Sequence, residues 1–76
     1  MKMTIGERIR ELRKQQRMPS FVLAKRARVS NNTIWLLECY NLLPRRASLE
    51  RIAQALGTTY EELFAEQPDE QEVSHE

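Results

Sequence analysis

Apolar residues recur along the chain at helical spacing, and no stretch alternates in the way a half-buried strand does. Ile5, Ile9 and Leu12 fall at i, i+4 and i+7 on one face of a first helix. Arg8, Arg10, Glu11 and Lys14 take the opposite face. Thr4-Ile5-Gly6-Glu7 has the form of a capping box, in which the Thr hydroxyl and the Glu carboxylate each satisfy an unpaired N–H of the first turn. The helix is expected to end at Met18-Pro19, because proline disfavours helical backbone in the residue before it. A second helix is predicted from about Ser20 to Ala27, with Leu23, Ala24 and Ala27 inward. Arg28-Val29-Ser30 leaves room only for a tight turn. Ser30 is a good N-cap, and a third helix is predicted from there to about Cys39, with Ile34 and Leu37 inward.

Tyr40 to Leu43 reads as a loop, and Pro44 suits the first position of a fourth helix, where its missing N–H costs nothing. Leu49, Ile52, Ala53 and Leu56 make the stripe of that helix, and Gly57 can adopt the left-handed conformation of a helix stop. Thr59-Tyr60-Glu61-Glu62 is a second capping box, opening a fifth helix with Tyr60, Leu63 and Phe64 inward. From about Glu66 the chain holds Pro68, many acids and almost no apolar residues, a composition expected to be disordered. The expected fold class is therefore all-α. It is a compact bundle of five short helices in residues 1–65, followed by an acidic tail in residues 66–76.

Length and composition narrow the function. At 76 residues the chain has one domain and one small core. A chain of this size buries only roughly 60% of its unfolded surface, so a second copy would add stability. Fully apolar runs reach four residues at most, as in Ile34-Trp35-Leu36-Leu37, far too short to span a bilayer. No apolar signal region follows Met1-Lys2-Met3-Thr4, so a cytoplasmic location and no membrane partner are expected. One cysteine, Cys39, and one histidine, His75, cannot build a disulfide framework or a structural zinc site. Cys39 reads as a small, partly buried apolar residue. A nucleophile–base pair, a Gly-rich phosphate loop and a metal-ligand cluster are all missing. The pattern points away from an enzyme, with no catalytic residues, metal or cofactor expected.

The net charge of +1 hides an asymmetry. Residues 1–60 hold all twelve Lys and Arg and only four acids (Glu7, Glu11, Glu38 and Glu50), a charge of +8. The last 16 residues hold seven acids and no Lys or Arg. A basic body with an acidic tail is what a chain that meets a polyanion looks like, although basic residues also serve simply to solvate helices.

The segment from Ser20 to Leu37 carries the most information. Counting Ser20 as position one, Ala24 falls at five, Val29 at ten, Ile34 at fifteen and Leu37 at eighteen. A small residue at position five lets two helices cross closely, and the later apolar positions anchor the second of them. Its first turn is then left projecting outward, where it can enter a major groove. With this segment in place, Ile5 to Phe64 resembles the Cro and phage-repressor-like family of helix-turn-helix regulators, also called the xenobiotic-response-element family. IGERIRELRK, LAKRARVSNNTIWLLE and SLERIAQALGTTYEELF carry the resemblance, which covers about four fifths of the chain.

The resemblance implies a lambda-repressor-like fold and a transcriptional regulator, a repressor, that binds double-stranded DNA. Base edges would be read from Ser30, Asn31, Asn32, Trp35 and Leu36, with Asn suited to bidentate bonding of adenine. Asn31 and Asn32 also read simply as polar residues of a first turn. Phosphate contacts would come from Ser20, Arg28, Thr33, Arg45 and Arg46. Arg13 would pair with Glu38 as a structural ion pair, the alternative being two independent surface charges. A homodimer would place two recognition helices about 34 Å apart on a palindromic operator. Its contact surface would use Tyr40, Leu42, Leu43, Tyr60 and Phe64, with Leu43 or Tyr40 capping the monomer core as the alternative.

The sequence departs from the family at four places. Ser20 stands where a longer Gln is usual, and Pro19 replaces the usual Ser or Thr cap. Arg28 replaces the Gly of the turn, at a cost of about 1 kcal/mol if it is left-handed. Phe21, Val22, Trp35 and Leu36 occupy sites that are normally polar. This apolar surface has three readings. It meets thymine methyls, it binds a protein partner, as in an adaptor or antirepressor using Phe21, Trp35 and Leu36, or Trp35 and Phe21 fold over each other and shield the core.

Overall fold

A computed structural model describes residues 3–65. The expected tail, residues 66–76, lies outside the described residues. The described residues form an all-α bundle of five helices: α1 (Ile5–Gln15), α2 (Ser20–Ala27), α3 (Asn31–Tyr40), α4 (Arg46–Ala55) and α5 (Tyr60–Ala65). Among the described residues no helix is long and apolar enough to cross a membrane.

The inward stripes meet in one core of Ile5, Ile9, Met18, Leu23, Ala24, Ala27, Ile34, Leu37, Leu49, Ile52, Ala53, Leu56 and Leu63. Each large side chain fully buried there contributes about 1.5–3 kcal/mol. Leu12, Val22, Val29, Tyr60 and Phe64 pack against its edge. α2 touches both α3 and α4, while α1 packs against α3 and α5. α1 and α3 approach so closely that a Cβ on Gly6 would overlap the Leu37 carbonyl. The Gly6 N–H, unpaired within its own helix, donates to Asn41 Oδ1 at 2.9 Å.

Helix ends follow a common device. Arg17, Arg28 and Gly57 are left-handed, with φ of 55°, 59° and 81°. Each precedes a residue whose N–H reaches back five positions: Met18 to Arg13 O, Val29 to Ala24 O and Thr58 to Ala53 O. α3 closes on left-handed Asn41, after which the Leu42 N–H reaches Leu36 O at 3.2 Å.

Several expected boundaries move. α1 stops at Gln15, before Met18-Pro19, because Arg17 turns the chain and sends Met18 into the core. Tyr40 ends α3 instead of opening the loop. Pro44 precedes α4: Arg45 is the N-cap, and its carbonyl accepts the first helical bond from Leu49. The Thr4–Glu7 capping box is complete. At α5, Thr59 Oγ1 accepts from the Glu62 N–H, while the Glu62 carboxylate accepts from the Thr58 hydroxyl at 2.6 Å.

Candidate nucleic-acid interface

α2, the turn 28–30 and α3 form a helix-turn-helix unit. Pro19 begins it with extended backbone and no side-chain cap bond. At the turn, Arg28 takes the left-handed conformation that glycine adopts without strain. Ser30 then caps α3, accepting from the Thr33 N–H at 3.1 Å, and its hydroxyl lies 3.0 Å from Thr33 Oγ1. Both hydroxyls, proposed for base and phosphate contacts, are thus engaged in holding the first turn.

Ile34 and Leu37 point α3 into the core, so a helical repeat of 100° per residue sends Asn32, Trp35, Leu36 and Cys39 outward. Asn31, Asn32 and Trp35 are exposed and Leu36 is half-buried. Cys39 is an exposed free thiol, contrary to its expected partial burial. Its place on the outward face, opposite Ile34 and Leu37, is the reason. Phe21 and Trp35 stay 61% and 50% exposed, so neither shields the core. The Trp35 ring instead meets Tyr40 edge-on, with centroids 5.2 Å apart. Val22 turns toward the core, leaving Phe21 as the outward apolar residue of the α2 start.

Arg13 and Glu38 form a bidentate ion pair, Nε to Oε2 at 2.8 Å and Nη2 to Oε1 at 3.0 Å. Arg13 Nη1 also donates to Met18 O at 2.9 Å, so one side chain ties α1, its closing turn and α3 together. The hydrogen bond it donates to Glu38 holds the guanidinium above its ordinary pKa, although partial burial acts the other way. Its side chain is only 14% exposed, which removes it from the outer surface.

The remaining candidates divide. Ser20, Arg28 and Arg45 are exposed and available to a partner. Arg46 is exposed but internally engaged: it donates to Glu50 at 3.0 Å, lies 3.8 Å from Glu61, and sits 4.4 Å from the Tyr60 ring centroid. The Glu50 bond is the main cause of its raised pKa. Tyr40, Leu42 and Leu43 are exposed, which rules out Leu43 or Tyr40 as a cap of the monomer core. Tyr60 and Phe64 stack with centroids 4.8 Å apart and pack against the core edge.

Two further arginines border the turn without a clear signal in the sequence. Arg51 of α4 donates Nε to Ala27 O at 2.8 Å and Nη2 to Arg28 O at 3.4 Å, pinning the turn of the unit. Arg26 lies beside it around a shared cavity. The sequence signal for Arg51 is weak: a cation bordering the Leu49–Ile52–Ala53 stripe, which reads equally as surface charge. A scan against protein-family models finds no match for this chain, and a search of curated proteins finds none either.

Proposed function

We propose that the chain is a sequence-specific DNA-binding transcriptional regulator of the Cro and phage-repressor-like type, acting in the cytoplasm as a repressor and not as an enzyme. α3 enters the major groove by its first turn, and Asn31 and Asn32 read base edges there. One observation carries this: an α3 start capped by Ser30, with both amide side chains exposed, directly after a turn that displays Arg28. An Asn side chain offers the donor–acceptor pair that matches adenine N7 and N6. Residues 1–60 supply the positive field that draws in a duplex. A second copy docks through Tyr40, Leu42 and Leu43, whose exposed apolar surface fits a symmetric contact. The same reading assigns Tyr60 and Phe64, stacked on each other at the core edge, to that contact.

Selection of bound duplexes from a random pool tests the proposal. The expected result is an enriched palindrome whose affinity falls steeply as salt rises. No enrichment, and no binding to random duplex at low salt, would sink it. A second reading is favoured by the exposure of both Phe21 and Trp35: these side chains would seat a protein partner, as in an antirepressor. Trp35→Ala decides between them. Loss of a protein complex with unchanged duplex affinity favours the second.

A further inference from the structure

A cavity of about 250 Å³ opens where the end of α2 meets α4, lined by Arg26, Arg28, Arg51, Gln54 and Ala55. Three arginines line one space, and no carboxylate-bearing residue lines it with them. Among the described residues neither Arg26 nor Arg28 has an acidic partner. Like charges gathered this way repel each other, and an anion between them would reverse the sign of the interaction.

Helix-end electrostatics accounts for only part of the cluster. Lys25 and Arg26 stand in the last turn of α2, where its negative end favours cations. Arg51 is already committed to the Ala27 and Arg28 carbonyls, which fixes its guanidinium at the cavity wall. Arg28 is the residue that helix-end electrostatics leaves unexplained. Its left-handed backbone carries a strain that glycine would not incur. What the side chain adds there is a charge on the cavity rim.

We infer that Arg26, Arg28 and Arg51 form a phosphate-binding site. Guanidinium groups match phosphate oxygens with paired N–H donors, and Arg51 is held in place before any ligand arrives. Arg28 stands two residues before Ser30, within about 8 Å of the α3 cap along the chain. A major groove is about 12 Å wide, so a duplex entered by Asn31 and Asn32 brings its backbone phosphates to this flank. The occupant is a backbone phosphodiester. That choice rests on the function proposed above, whereas the affinity for a phosphate group does not.

The experiment uses the full chain, the double variant Arg26→Gln/Arg28→Gln, and Arg10→Gln/Lys14→Gln as a charge-matched control on the outer face of α1. Arg51 is left intact because it holds the turn. Inorganic phosphate and a random-sequence duplex are titrated separately, following arginine Nε–H resonances and duplex affinity against salt. Phosphate should shift Arg26, Arg28 and Arg51 in the full chain and in the control. In the double variant the Arg51 shift should be lost, duplex affinity should fall about tenfold, and the salt slope should flatten by about 1–2. A double variant that matches the control in both titrations overturns the site, even if the full chain binds duplex. Phosphate shifts at the three arginines in a chain that ignores duplex keep the phosphate site and overturn the DNA reading. Silence toward phosphate and duplex alike overturns both.

Discussion

Gly6 shows how one residue sets the distance between two helices. Alanine favours helix over glycine by about 1 kcal/mol. At this position, however, the added Cβ meets the Leu37 carbonyl, which is backbone and has no rotamer to escape into. Gly6→Ala is expected to lower stability by about 1–3 kcal/mol net, seen as a lower urea midpoint with an unchanged slope. Arg28 runs the opposite way. Arg28→Gly relieves left-handed strain and is expected to stabilise by up to about 1 kcal/mol, raising Tm by several degrees. The same change removes a charge from the proposed phosphate site, so polyanion affinity is expected to fall as Tm rises. A fall in both would mean that the Arg28 side chain supports the fold itself.

At the scale of elements, α3 separates its holding residues from its reaching residues. Ser30 and Thr33 build the first turn, while Asn31 and Asn32 stand free of it. Ser30→Ala should cost about 1 kcal/mol of stability through the lost cap. Asn32→Ala should leave stability within about 0.5 kcal/mol and cost the selected duplex about 1–3 kcal/mol of affinity. Thermal unfolding and duplex titration on the same two variants check the division. Equal effects of Asn32→Ala on selected and random duplexes would deny it a base-reading role. α2 and α4 are coupled in a different way, through Arg51 and the carbonyls of Ala27 and Arg28. The helix-turn-helix unit is therefore braced from behind by a helix outside it.

At the scale of the whole molecule, every core member among the described residues lies between Ile5 and Leu63. A chain ending at residue 65 should keep its cooperative unfolding, with Tm within about 3 °C of the full chain. It also loses five carboxylates, which takes the net charge from +1 to +6. Duplex binding should then be tighter at low salt, and the two chains should converge as salt rises. Unchanged affinity at low salt would show that residues 66–76 exert no field at the basic face. A large drop in Tm would instead give those residues a place in the fold.

The sequence by itself determined the five helices, their inward stripes and three of their caps, because periodicity and capping depend on residues within four positions of each other. Ile9, Leu23, Ile34, Leu37, Ile52 and Leu63 could all be placed in the core on that ground. The left-handed stops at Arg17 and Asn41 could not, since neither carries the glycine that marks Gly57. Beyond the Arg13–Glu38 pair, which the family resemblance implied, only the tertiary structure decided which polar groups meet across the chain. The Gly6–Asn41 bond, the hold of Arg51 on Ala27 and Arg28, and the three arginines around one cavity each join residues more than 20 positions apart. No local pattern encodes such pairs, because their geometry exists only after the helices have packed.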